Sequence, residues 1–313
     1  MGAVRRVLAA LPGLVLLGVV VWVVLTRWDV LRAGHPAYPI TLAVAAVLGA
    51  VLAIRGAQAP AERPAGGGRR VLRALGHAVG AVLVLASAAA LAWLRPFPAD
   101  DVALPALDVP DDASVAVVDE IGTIDLVPAE PLTTGLVFSP GARVDPRAYA
   151  HVLRPLAEAG YVVVILRPPY GIALANPTQS GAAISRHPEV ETWFVGGHSI
   201  GGVAASWFAE REAAPDGAVD GLLLWASYPA ADLSGTALRA CSVTGTNDGL
   251  TTPADVADSA PLLPPTTVFT PIDGAIHAYF GDYGPQAGDG EPAVPREEAQ
   301  RQIVEASLAC LDG

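Results

Sequence analysis

At 313 residues, 52% of them hydrophobic and 16% charged, the chain is too apolar to be disordered, and its two cysteines are too few to make a disulfide scaffold. Its net charge of −12 hides two unlike parts: residues 1–99 hold ten arginines against Asp29 and Glu62, a balance of about +8, whereas the remainder holds nine arginines against twenty-nine acidic residues, about −20. An acidic part of that size repels phosphate backbones, which excludes a nucleic-acid partner for it.

The first elements are three apolar stretches, at residues 7–25, 38–54 and 71–94. Each approaches the ~20 residues that a helix needs to cross ~30 Å of hydrocarbon. The middle one is the shortest, but it has no ionisable residue, and a short helix still spans when its ends snorkel or the bilayer thins. His77, near the start of the third, reads as a tolerated interfacial residue rather than a proton relay. Arg5 and Arg6 before an apolar run suggest a signal peptide, but Thr26-Arg-Trp-Asp29 lacks the small-residue cleavage pattern, and Trp22 and Trp28 resemble an interfacial belt.

Charge then sets the expected topology. Residues 55–73 carry Arg55, Arg63, Arg69, Arg70 and Arg73, against two arginines and one aspartate in residues 27–38. With three spans, the positive-inside rule puts the N-terminus and the Arg-rich loop in the cytoplasm and the C-terminal domain outside it. Two spans would put that domain inside. Residues 59–68 read as a flexible loop, and residues 96–112, with repeated Pro and Asp, as an extended linker. The expected organisation is a membrane region over 1–95, the linker over 96–112 and a domain over 113–313.

Within that domain, short apolar or β-branched runs at 114–118, 136–139, 161–166, 192–196, 221–226, 240–245 and 267–271 predict buried strands. Helices are expected between several of them. Asp145-Pro146 offers an N-cap and an N1 proline for one reaching about Ala159, where Gly160 stops it; residues 200–211 predict a second and 295–311 a last one. Strands alternating with helices imply a mostly parallel α/β sheet flanked by helices. Cys241 falls in a predicted strand and Cys310 on a helix face with Ile303 and Ala306, so the pair reads equally as a disulfide or as two small buried residues.

Gly197-His198-Ser199-Ile200-Gly201 fits the G-x-S-x-G elbow, with a predicted strand directly before it and a predicted helix directly after. A serine hydroxyl needs a base, and the base an orienting acid. One histidine follows Ser199, His277, in the loop after the last predicted strand; Asp248 lies in an earlier loop, also after a strand. The order Ser199, Asp248, His277 is the one this chemistry takes on an α/β sheet. His198 reads as structural, since the triad is complete without it.

With Phe138-Ser-Pro-Gly-Ala-Arg-Val-Asp-Pro146, Gly160-Tyr-Val-Val-Val, Ala226-Ser-Tyr-Pro229, Gly245-Thr-Asn-Asp-Gly-Leu250 and His277-Ala-Tyr-Phe-Gly-Asp-Tyr-Gly284, residues 132–311 resemble α/β-hydrolase-fold proteins related to dienelactone hydrolases. The resemblance implies nucleophile, acid and base roles for Ser199, Asp248 and His277. Dienelactone hydrolases carry a cysteine at the elbow, so their substrate does not transfer to a chain with Ser199. The oxyanion hole is expected from the backbone N–H of Ile200 and a second donor in Ser139-Pro-Gly-Ala142, where Pro140 has no N–H; Ala142 is preferred and Gly141 held in reserve.

Tyr170, Trp193 and Tyr228 are candidate pocket residues, with core packing the competing reading for each. Asp282, Asp289 and Glu291 do not have the spacing of a calcium loop and read as solvated. No metal or organic cofactor is implied. The expected function is hydrolysis of a small ester-like substrate by a membrane-anchored serine enzyme of open oligomeric state. The alternative is a catalytically silent, membrane-tethered binding or scaffold protein of the same fold.

Overall fold

The computed structural model describes residues 2–59, 67–108, 114–213 and 217–313. Contacts divide the chain into Met1–Arg95 and Pro96–Gly313. Glu62, Arg63 and most of the expected 59–68 loop lie outside the described residues, as do residues 109–112 of the expected linker and residue 113 after it.

The first unit is helical: α1 Gly2–Ala33, α2 Ala37–Ala57 and α3 Gly67–Trp93. Long runs of Ala, Leu and Val favour helix, and a chain without water must satisfy its own backbone polar groups, which a helix does within itself. Pro12 is tolerated inside α1, and the helix is kinked at Arg27, whose φ is −141°. Leu16, Val20 and Val23 of α1 and Leu42 of α2 are buried, while Leu8, Leu25, Val44, Val47, Leu72 and Val82 are exposed apolar residues. All three helices are long and apolar enough to cross a membrane, with candidate spans of 31, 21 and 23 residues.

The second unit is an α/β-hydrolase fold. Eight strands, β1 Val115–Asp119, β2 Thr123–Pro128, β3 Thr134–Ser139, β4 Val162–Leu166, β5 Thr192–His198, β6 Gly221–Trp225, β7 Arg239–Gly245 and β8 Val268–Ile272, form one sheet in the order β1-β2-β4-β3-β5-β6-β7-β8. β1 and β2 are antiparallel to their neighbours, and every pairing from β4 to β8 is parallel. The helices are α4 Ala150–Glu158, α5 Gln179–Ile184, α6 Ile200–Glu212, α7 Pro253–Ser259 and α8 Arg296–Asp312.

Strand periodicity sorts the core into two layers. Phe138, Val163, Ile165 and Trp225 face one layer with Leu153 and Leu156 of α4 and Ile303 of α8. Val137, Val162, Val164, Val195 and Leu224 face the other, with Ala205 and Phe208 of α6. Strands covered on both faces read as continuous apolar runs, which is why β4 and β6 were legible as they stand. Cys241 of β7 and Cys310 of α8 are joined in a disulfide, with Cα atoms 6.2 Å apart, which ties the last helix to the sheet across 69 residues of chain.

Two expectations are corrected. Residues 96–108 are packed against the domain rather than extended as a linker. Phe97 N–H donates to Arg143 O (2.7 Å), Asp145 N–H to Phe97 O (2.9 Å) and Asp100 N–H to Asp282 O (2.8 Å). Ala103 and Ala106, on either side of the start of a 3-10 turn at Leu104–Leu107, are buried. The prolines suggested an open chain, but the small apolar residues between them are anchors. The second is β2, absent from the predicted strands: Asp125 stands in the middle of its apolar run. Asp125 is nonetheless buried, and it is satisfied by Arg186 and His187.

Candidate active site

β5 ends at His198 and α6 begins at Ile200, so Ser199 alone makes the turn between them, at φ 55° and ψ −128°. A non-glycine residue there is strained, and such strain persists only where the surroundings impose it. They do so here: Ser199 N–H donates to Trp225 O (3.0 Å), and the Ser227 hydroxyl donates to Ser199 O (2.6 Å). The turn also lies flush on the end of β3. A Cβ on Gly201 would stand 2.1 Å from Ser139 O, so the last glycine of the motif is required by contact.

Asp248 follows β7 and His277 follows β8, both at the C-terminal edge of the parallel sheet where β5 presents Ser199. Their side chains meet: His277 Nδ1 is 2.8 Å from Asp248 Oδ2, and both residues are buried. The other Asp248 oxygen accepts from the N–H groups of Leu250 (2.8 Å) and Thr251 (2.7 Å). In the neutral tautomer that donates to this carboxylate through Nδ1, the lone pair of the imidazole lies on Nε2. Nε2 is buried and, among the described residues, has no hydrogen-bond partner. The His277 ring centroid is 4.4 Å from that of His198, the residue immediately before Ser199, so the loop after β8 reaches across to β5.

His198 belongs to a buried network. Gly141 N–H donates to the Tyr149 oxygen (2.9 Å), and the same hydroxyl is hydrogen-bonded to His198 Nδ1 (2.8 Å). Burial, and after it the neighbouring His277, push the His198 imidazole well below the ordinary histidine value, so it stays neutral. Burial likewise pushes the Tyr149 phenol above its ordinary value. The bond to Tyr149 occupies the Gly141 donor and removes it as the reserve oxyanion group. Ala142 N–H and Ile200 N–H have no such bond among the described residues, and Ile200 opens α6, where first-turn amides are unpaired and the helix dipole is positive.

The expected pocket residues separate. Tyr228 is 40% exposed, one residue after the Ser227 that holds the elbow, and Tyr170 is half-buried at φ 59° beyond β4. Trp193 is a correction: it is 3% exposed within the core, at the start of β5, six residues and roughly 20 Å of strand from Ser199. Two residues of the expected solvated loop are corrections too. Asp282 is 1% exposed and accepts from Gln300 (2.9 Å), and Asp289 accepts four backbone N–H bonds. Tyr149 and Ser227 are not among the residues singled out from the sequence, and Asp289 is read there as solvated, because the partners that give each its place, His198 for Tyr149, Ser199 for Ser227 and His277 for Asp289, lie 49, 28 and 12 residues away. The glycines flanking Asp289 were the one local sign of a crowded site.

A groove of about 780 Å³ lies beside α4 and α8, lined by His151, Asp282, Arg296 and Gln300 among others, and none of Ser199, Asp248 or His277 lines it. Among the described residues no group of three His, Cys, Asp or Glu side chains is arranged to hold a metal ion.

A strained serine between a parallel strand and a helix, with an Asp–His pair on the following strand ends, defines the class: an α/β-hydrolase-fold protein. The chain belongs to the alpha/beta hydrolase family, whose model matches residues 135–302. No curated protein matches it. Solved structures similar to it include an alpha/beta hydrolase enzyme from the metagenome of sediments of the lagoon of Mar Chica, Morocco, 18% identical over 53% of this chain and 90% of that one, with a TM-score of 0.44. Another is Est1E from Butyrivibrio proteoclasticus, 12% identical over 64% of this chain and all of that one, with a TM-score of 0.46.

Proposed function

We propose that this protein is a membrane-anchored serine hydrolase that cleaves a carboxylic ester through an acyl-enzyme. The observation that carries the reading is the buried 2.8 Å contact between Asp248 and His277 Nδ1, which leaves the Nε2 lone pair as the free proton acceptor beside the elbow. In this mechanism Ser199 Oγ attacks the ester carbonyl while His277 Nε2 takes its proton. Asp248 holds the ring and stabilises the imidazolium. The developing oxyanion accepts from Ile200 N–H and Ala142 N–H; one such donor typically contributes ~3 kcal/mol to the transition state. The imidazolium returns its proton to the leaving alkoxide, and water, activated by the same nitrogen, releases the acid. Catalytic hydrogen bonds often tighten only once substrate binds, so the unpaired Nε2 is compatible with this role.

The anchor is the three-helix region, and the Cys241–Cys310 disulfide supports a domain on the oxidising side of the membrane, in agreement with the arginine distribution. The test is covalent labelling of the full-length, detergent-solubilised protein with a fluorophosphonate. The wild type is expected to be labelled and Ser199→Ala not. Absence of labelling in folded wild type would favour the silent scaffold.

A further inference from the structure

The loop that carries the base is held by a residue outside the triad. After His277 the chain runs through a Gly-rich segment and returns across both site loops. Asn247 Nδ2 donates to Glu291 O (2.9 Å), and Ala293 N–H donates to Gly274 O (2.9 Å), so the returning strap is bonded to the Asp248 loop and to the turn before His277. The approach is close enough that a Cβ on Gly290 would stand 1.8 Å from Asn247 O. Asp289 sits at the centre of the strap. Its Oδ1 accepts from His277 N–H (3.0 Å), Gly249 N–H (3.3 Å) and Gly290 N–H (2.8 Å), and its Oδ2 from Ala278 N–H (2.9 Å). One carboxylate thus bonds the main chain of the base, of the residue after the base and of the residue after the acid.

We propose that Asp289 is a positioning residue for the hydrolytic reaction: it fixes the backbone beneath His277 to the backbone beside Asp248, so that the imidazole is preorganised for proton transfer from Ser199. The inference rests on the serine-hydrolase reading. The chemical reason is that the Asp248–His277 contact fixes only one edge of the ring, and a ring held at one edge swings with its loop. A backbone clamp removes that freedom, and misplacement by about 1 Å can cost about 100-fold in rate. Asp289→Asn is nearly isosteric, but it puts an NH₂ where one carboxylate oxygen accepted, so at least one of the four donors loses its partner.

The experiment is a double-mutant cycle on the full-length protein in detergent, read as the second-order rate of fluorophosphonate labelling at a temperature well below every variant's Tm. Wild type and Ser199→Ala come first, because unlabelled wild type defeats the hydrolase reading itself. If Ser199 is labelled, Asp289→Asn is expected to slow labelling about 10- to 100-fold when His277 is present and by no more than about twofold in the His277→Ala background, since a residue that acts through the imidazole has nothing to act on once it is gone. A structural staple alone would slow both backgrounds equally. Equal slowing, or a labelling rate equal to wild type in Asp289→Asn, overturns the proposal while leaving the hydrolase reading intact. Should Asp289→Asn lose its cooperative melt, Asp289→Glu keeps charge and acceptors but displaces them by one methylene. Folded Asp289→Glu is expected to show the same His277-dependent loss, and wild-type labelling by it overturns the clamp.

Discussion

Tyr149 has one hydroxyl and two buried partners, Gly141 N–H and His198 Nδ1, and those partners belong to the two segments between which a substrate carbonyl would be gripped. The Gly141 bond orients the loop that carries Ala142, and the His198 bond joins that loop to the residue before Ser199. Tyr149→Phe keeps the ring, with its contact to Phe138 at 5.1 Å, but leaves two buried polar groups, Gly141 N–H and His198 Nδ1, without this partner. Each unsatisfied group costs roughly 1–3 kcal/mol, and in a domain of this size 1 kcal/mol lowers Tm by roughly 2–4 °C. A thermal melt of Tyr149→Phe is therefore expected to fall by several degrees; a Tm within 1 °C (roughly 0.3 kcal/mol) of wild type would show that the network does not hold the loop. The G-x-S-x-G pattern together with chain position brought Ser199, Asp248 and His277 into view, because each follows a strand whose apolar run marks it. Tyr149 carries no such mark: it lies within a helical pattern, and its importance comes from two atoms 8 and 49 residues away.

Secondary elements show the same limit. β4 and β6 were legible because burial on both faces demands unbroken apolar residues, whereas β2 was not, because Asp125 stands in its middle. α5 and α7, of 6 and 7 residues, are too short for a helical period to declare itself. Asp125 is nonetheless the feature that makes β2 informative. Burial alone would raise its carboxyl, but hydrogen bonds from His187, Thr123 and Arg186 outweigh burial and hold it below the usual value. His187 is raised, chiefly by its bond to Asp125 (3.1 Å) and then by Glu189 (3.0 Å). The signs differ. Stability from a raised histidine is complete below its ordinary pKa of about 6.5 and disappears as pH rises through the higher folded value; stability from a depressed aspartate is present above about 4 and disappears as pH falls through the lower one. The network thus contributes fully between about pH 4 and 6.5. Tm measured from pH 5 to 8.5 is expected to fall more steeply on the alkaline side for wild type than for His187→Asn. Parallel curves would mean that His187 does not titrate against Asp125.

At the scale of the whole molecule, charge and covalent chemistry meet in one question, the side of a membrane on which the proposed three-span topology would place Ser199. The arginine excess before residue 100 and the acidic excess after it were visible at once, and the disulfide was not, because spacing of 69 residues says nothing about whether β7 and α8 meet. Closing a loop of that length contributes about 4 kcal/mol in the chain-entropy account, a share large enough to matter for a domain whose net stability is of order 10 kcal/mol. That contribution exists only in an oxidising compartment, since cytoplasmic thiols are kept reduced. Topology and stability are therefore linked: three spans export the domain and let the bond form, whereas two spans leave it in the cytoplasm with two free thiols. A reporter enzyme that is active only after export, fused behind Gly313, is expected to be active. Protein denatured without reductant is expected to take up maleimide at Cys241 and Cys310 only after reduction. The two readouts are independent, one following the chain across the bilayer and the other the sulfur chemistry, and an inactive reporter with freely labelled thiols would place the domain in the cytoplasm.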